Sequence, residues 1–329
     1  KFRSFKMKKQ LLIAAVAATM GTAAMADVSI TGDAKFEYFN TETSTVSTNK
    51  TNTEVNLGIK GKNGDTTVVA NLEFNTHDAA SNMDIEDLYM TTKIGDVTVK
   101  GGNYATGTSA ILGEIENGGR ASNKVTLSGS NGGVSWYLGN SGSVGEGAMQ
   151  IDGNMFVGAS MDVAGWKVQA KHNSATVDSF GISGEVSGVG IRLEQKNDTA
   201  ANGDTTFGNV TYSTNGIDLA YAWLDSDKAN QIDEDDSAIF AVENGIVTAT
   251  TDTGNAQITA KTSVAGNTVT VKSGSVENGI ATGTDLDYTQ IAVSRPLASG
   301  ATFAATYTDK DDSATTDTQI LELDLSVKF

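Results

Sequence analysis

The chain contains no cysteine, one proline and two histidines in 329 residues, and its 23 basic side chains are outnumbered by 40 acidic ones. The missing cysteine excludes disulfide scaffolds, thiolate zinc sites and cysteine nucleophiles. His77 and His172 leave little for imidazole catalysis or a histidine metal cluster. Basic residues are scattered as well as few, so the clustered Lys and Arg that neutralise a phosphate backbone are absent, and nucleic acid is not an expected partner. The apolar run Leu11 to Ala18 falls short of the roughly 20 residues that a spanning helix needs.

That run sits in a leader. Lys8 and Lys9 follow Met7, the apolar stretch comes next, and Ala24-Met25-Ala26 closes it, which together make the n-region, h-region and A-x-A site of a secretory signal peptide. Cleavage is expected before Asp27, with residues 1–6 lying upstream of the true start. The leader carries five basic and no acidic side chains, so residues 27–329 hold 18 basic and 40 acidic ones, a net charge of −22. The sequence therefore predicts an exported, strongly acidic protein.

From Asp27 onward the hydrophobic period is two. Val28, Ile30, Ala34, Phe36 and Tyr38 alternate with Ser29, Thr31, Asp33, Lys35 and Glu37, which places apolar groups on one face of a strand and polar groups on the other. The pattern returns in Val55-Leu57-Ile59, in Val68-Ala70-Leu72-Phe74, around Val97 and Val99, around Ile191 and Leu193, and in Ile217-Leu219-Tyr221-Trp223. Short turn signals at 62–65, 95–96, 131–133, 164–165, 188–190 and 215–216 alternate with longer polar stretches at 41–51, 75–83, 104–120, 140–149, 197–203 and 225–237. An up-and-down barrel produces this order, because its short turns collect on one rim and its long loops on the other.

Thirteen strands are expected up to Trp223 and three more near 286–295, 300–309 and 317–329, with Pro296 at the last short turn. The total is sixteen, an even number as a barrel with both termini on one side requires. Residues 238–284, in which Val242-Glu243-Asn244-Gly245-Ile246 recurs as Val276-Glu277-Asn278-Gly279-Ile280, read as an enlarged loop with its own hairpins. If one of those hairpins joins the wall, the count becomes eighteen. Periodicity alone does not say which face is inside. Apolar rows of Val, Ile, Leu and aromatics, set against rows of charged and amide side chains, favour a transmembrane barrel with the polar face enclosed, and closure removes the free edges that lipid forbids.

The last strand is the most specific motif. Leu321, Leu323, Leu325, Val327 and Phe329 alternate with Glu322, Asp324, Ser326 and Lys328, and this resembles the C-terminal strand of bacterial outer-membrane proteins, whose terminal aromatic is read by the outer-membrane insertion machinery. Asp87-Leu88-Tyr89 through Ile94-Gly95-Asp96-Val97-Thr98-Val99 resembles the hairpin before the constriction loop of a Gram-negative general porin, and Ala292-Val293-Ser294-Arg295-Pro296-Leu297 resembles the penultimate strand and turn. The resemblance spans residues 27–329. It implies a sixteen-stranded homotrimeric barrel in the outer-membrane lipid and passive diffusion of small hydrophilic solutes and ions, with no cofactor and no covalent step.

In that family the third long loop folds into the lumen and sets carboxylates against a basic ladder on the wall. Carried over, the loop is 104–120, with Glu114, Glu116 and Arg120 at the constriction. Strand parity offers Lys35, Lys60, Lys100, Lys124, Lys167, Lys171 and Arg192 as the inward basic groups. The competing reading makes Glu114 and Glu116 solvated loop carboxylates. The net charge predicts a preference for cations, although acids such as Asp225, Asp227, Asp233 to Asp236, Asp309, Asp311 and Asp312 belong to external loops. The stretch from Asp225 lacks EF-hand spacing. Gly101-Gly102 and Gly118-Gly119 lack the strand-to-helix context of a phosphate loop and read as bends. Trp136, Tyr137, Trp166, Tyr212, Tyr221 and Trp223 suit interfacial girdles.

Two other functions stand beside the channel. An outer-membrane enzyme would need a catalytic set that two isolated histidines do not supply. A secreted adhesin or β-solenoid would suit the Gly, Thr, Asn and Asp content, but a solenoid needs one fixed period along the chain, and it gives the Phe329 strand no role.

Overall fold

The computed structural model describes residues 27–76, 83–105, 120–140, 155–173, 177–198, 203–227, 252–278, 285–312 and 317–329. These form eighteen antiparallel strands. In chain order they are β1 (Asp27–Thr43), β2 (Ser47–Asn63), β3 (Thr66–Asn75), β4 (Asp84–Ile94), β5 (Val97–Ala105), β6 (Arg120–Asn131), β7 (Val134–Asn140), β8 (Met155–Val163) and β9 (Trp166–Asn173). The second half comprises β10 (Val177–Val186), β11 (Val189–Asp198), β12 (Gly203–Thr214), β13 (Ile217–Ser226), β14 (Asp252–Val264), β15 (Asn267–Asn278), β16 (Leu286–Pro296), β17 (Ala301–Asp312) and β18 (Thr318–Lys328). Every strand pairs with its neighbours in sequence, and β1 pairs with β18, so the sheet closes on itself.

Eighteen strands are present, the alternative to sixteen in which a hairpin of the 238–284 stretch joins the wall. The difference is β14 and β15, which lie inside the 238–284 stretch assigned to an enlarged loop. Their alternation is carried by Ala256, Ile258, Ala260 and Val271 against Asn255, Gln257, Thr259 and Lys272, and small or hydroxylated residues dilute it below the contrast of the other strands. A second difference concerns 41–51: β1 runs to Thr43 and β2 resumes at Ser47, so most of that polar stretch is strand. Polar residues there extend the wall past its apolar band.

Residues directly opposite across a ladder share a face. Following the register assigns one face Ile30, Phe36, Leu88, Met90, Leu193, Tyr221, Ile258 and Leu325, all exposed, and the other Glu37, Lys124, Glu194, Gln257, Thr308 and Glu322, all buried. The barrel is therefore apolar outside and polar inside, the reverse of a water-soluble barrel. Trp136, Trp166, Tyr212, Tyr221 and Trp223 lie on the outer face as expected of a girdle. Tyr137 does not: it pairs with Ser128 and Gly158 on the inner face.

Turn chemistry sets the short rim. Ala164-Gly165, Ser187-Gly188, Asn215-Gly216 and Ala265-Gly266 all have positive φ at both positions, the two-residue hairpin geometry whose twist matches the flanking strands.

The seam is closed by the end of the chain. The Gly32 amide donates to the Phe329 carbonyl at 2.9 Å and the Phe329 amide donates back to the Gly32 carbonyl at 2.9 Å. A Cβ at position 32 would strike both the Phe329 ring and the Asn56 carbonyl oxygen, whereas position 61, also a glycine facing outward, has open space. Gly32→Val is expected to cost about 1–3 kcal/mol by overpacking, and Gly61→Val nearly nothing. Unfolding in denaturant, followed by the slower gel migration of the unfolded barrel, checks this; equal behaviour of the two variants would contradict the seam assignment.

Candidate functional site

The inner wall divides by charge. Glu322 and Asp324 of β18, Asp33 and Glu37 of β1, Glu54 of β2, Glu73 of β3 and Asp87 of β4 face inward on consecutive strands. Asparagines share their rows. Asn52 donates to Glu37 at 2.9 Å, Asn56 to Glu54 at 2.7 Å and to Asp33 at 3.4 Å, Asn71 to Asp87 at 2.9 Å, and Asn75 to Glu73 at 2.6 Å. A carboxamide satisfies a carboxylate without cancelling its charge. Lys35, which pairs with Glu37 at 2.6 Å, does offset one.

Carboxylate oxygens of Glu37, Glu322 and Asp324 all lie within 4.8 Å of one another. Hard cations take such oxygens, but Lys35 and Asn52 already engage Glu37.

The basic sector follows on β5 to β11. Lys100, Lys124, Lys171 and Lys196 face inward; Lys124 lies in electrostatic range of Lys100 and Lys171, and Lys171 of Lys196 and Glu194. Aromatic rings accompany them. The Lys100 Nζ stands 3.9 Å from the ring centres of both Tyr89 and Tyr104, Lys124 is 5.7 Å from Tyr104, and Lys171 is 5.5 Å from Phe156. Tyr89 and Tyr104 meet edge to face at 5.8 Å, and the Tyr104 hydroxyl lies 2.7 Å from that of Thr126. The backbone makes room for this cluster at Gly102, whose φ of 141° and contact with Leu88 and Tyr89 exclude a side chain.

From β12 to β17 the mid-wall is largely amide and hydroxyl. Asn209, Gln257, Gln290 and Thr308 are buried there, Tyr288 donates to Gln257 at 2.7 Å, and Gln290 donates to Thr308 at 3.2 Å.

All seven basic positions offered by parity lie on the inner face. Lys35, Lys100, Lys124 and Lys171 belong to the contacts above. Lys60 sits opposite Ser29 and Val69, Lys167 opposite Asp162 and Ser183, and Arg192 opposite Ser183 and Asn209. These three lie close to the short turns and apart from the lysine row. Glu114 and Glu116 fall outside the described residues, as does His77. Arg120 opens β6 opposite Ala105. His172 lies one residue before the end of β9 on the outer face, with Nδ1 2.6 Å from Asp178 Oδ1. Sequence reasoning missed Lys196, although it shares the parity of Arg192 and Glu194, and it missed the acidic sector, which Glu322 and Asp324 join only once β1 pairs with β18.

No protein-family model matches the chain, and no curated protein matches it in sequence. Solved structures do. OccK11 (OpdR) of Pseudomonas aeruginosa superposes with a TM-score of 0.67 at 13% identity, covering 92% of this chain and 96% of that one. OpdK of the same organism, solved with vanillate, gives 0.62 at 11% over 91% and 98%. OccAB4 of Acinetobacter baumannii gives 0.62 at 10% over 92% and 98%. At such identities the likeness establishes the fold: this chain's eighteen-stranded antiparallel barrel superposes on these proteins over nearly their whole length.

Lys100 is bracketed by two rings, so its charge contributes to packing. Cation–π contacts are worth about 0.5–2 kcal/mol each. Lys100→Met is expected to lower the thermal unfolding midpoint seen by circular dichroism in detergent, and Lys100→Arg to keep it; an unchanged Lys100→Met would remove the bracket from the account.

Proposed function

We propose that the protein is an outer-membrane porin of a Gram-negative bacterium, through which small hydrophilic solutes and ions diffuse passively. The closed ring with exposed apolar side chains outside and charged side chains inside carries this reading. Lipid accepts such an outer face, and only water or a polar solute suits the inner one. The barrel fold shared with the outer-membrane protein OpdK supports it. A secreted adhesin would have to keep Ile30, Phe36, Ile258 and Leu325 in water.

Cation preference belongs to the same proposal. Carboxylates held by asparagine amides keep their charge along one sector, and cations passing there meet a favourable potential, while the lysine row on β5 to β11 offers a separate track for anionic groups. The two sectors together set a field across the pore. Glu114, Glu116 and Arg120 complete the proposal as constriction residues, Phe329 as the terminal residue read by the insertion machinery, and the trimer as the assembly implied by the general-porin resemblance.

In a planar bilayer with a KCl gradient, stepwise ohmic openings are expected, grouped in threes if the trimer forms. The reversal potential is expected to favour cations at low salt and to approach zero near 1 M, where the Debye length is about 3 Å. Glu54→Gln with Glu73→Gln is expected to weaken that preference while leaving the amide contacts in place, and Lys171→Gln to strengthen it. Anion preference at low salt, or no conductance from a folded barrel, would overturn the proposal.

A further inference from the structure

The outer face of β8 to β11 carries a depression with a polar edge. Two cross-strand rows run over it. The lower one reads Ala159, Ala170, Phe180 and Gln195, and the upper one Val157, His172, Asp178 and Asn197. The two adjacent alanines of the lower row leave a depression of about 440 Å³, walled by Val157 and Phe180, edged above by His172, Asp178 and Asn197 and flanked by Gln195. Val157 is 48% exposed and Phe180 52%. The depression lies toward the rim of the longer connections. Only 174–176 join β9 to β10 and only 199–202 join β11 to β12, whereas 141–154 join β7 to β8.

An apolar floor beneath a polar edge on a lipid-facing wall has the chemistry of a lipid chain and its headgroup. The edge also selects the head. Every lysine and arginine of β8 to β11, namely Lys167, Lys171, Arg192 and Lys196, faces inward, so no cation is offered to a phosphate, and Asp178 would repel one. Imidazole, carboxylate and two carboxamides instead supply donors and acceptors in the mixture that matches adjacent hydroxyls. The carboxamide oxygen of Asn197 is buried without a hydrogen-bond partner among the described residues. An acceptor left so is costly, and rotation of the carboxamide toward the edge would let a lipid hydroxyl relieve it.

We propose that this depression binds a lipid with an uncharged, sugar-type headgroup, its acyl chain lying over Ala159 and Ala170 and its hydroxyls engaging His172, Asp178, Gln195 and Asn197. The site rests on the reading of the chain as a membrane channel but plays no part in conduction, so the two are tested separately.

The experiment uses the full-length folded barrel in an oxyethylene detergent, with digalactosyl diacylglycerol or phosphatidylglycerol added and retention read by native mass spectrometry. The wild-type protein is expected to keep about one galactolipid and to prefer it to phosphatidylglycerol. Gln195→Leu with Asn197→Leu is expected to reduce retention about tenfold, the effect of losing one or two hydrogen bonds. Gln319→Leu, which removes an outward polar group on β18, is expected to change nothing. Bilayer conductance of the same preparations reports the channel independently: a conducting protein without galactolipid preference overturns the lipid site alone. Equal retention of the two lipids, full retention by the double variant, or equal loss in Gln319→Leu would each overturn it.

Discussion

Everything in this molecule depends on the pairing of β1 with β18. A sheet of alternating apolar and charged rows can face lipid only if no edge is left with unpaired amides and carbonyls, because each would be stranded in a medium with no water to bond it. The ladder from Asp33–Lys328 to Thr43–Thr318 removes the last edge, and the bonds between Gly32 and Phe329 finish it. That closure also creates the site. Glu322 and Asp324 come from the end of the chain and Glu37 from its beginning, and only the seam makes them neighbours.

Closure turns a periodicity into an electrostatic device. Side chains that alternate along one strand become, around eighteen strands, an inner wall with an acidic sector, a basic sector and an amide and hydroxyl sector. The acidic sector is built with asparagine donors, which meet the hydrogen-bonding demand of carboxylates and leave the field in place. The basic sector is built with aromatic rings, which hold lysine ammoniums by their faces. Both devices hold charged groups on the wall, whereas Lys35 offsets Glu37 by a direct ion pair.

Much of this was legible in the sequence because strand parity is strict. Val28 to Tyr38 and Leu321 to Phe329 announce their faces without ambiguity, and inward placement of Lys60, Lys124, Lys171 and Arg192 follows from counting by two. Parity was harder to follow on β14 and β15, where Ser273, Ser275, Thr262 and Ala260 occupy outward positions and flatten the contrast, so two wall strands read as a loop. Tyr137 misled in the other direction: an aromatic beside Trp136 near a strand end suggests a girdle, but adjacent residues on a strand take opposite faces. The sectors themselves were not legible. They depend on how far each row climbs with strand tilt and, for Glu322 and Asp324, on the pairing across the seam, and neither is a local property of the chain.

The central claim, that the polar face encloses water and the apolar face meets lipid, is tested most directly on β14, where the sequence was least decisive. The natural chain has no cysteine, so single thiols report without background. Thr259→Cys faces inward and Ile258→Cys outward. With the protein in a bilayer, a charged, membrane-impermeant thiol reagent is predicted to modify position 259 and reduce conductance, while position 258 reacts only with a lipophilic maleimide. Modification of position 258 by the charged reagent, with position 259 protected, would contradict the account.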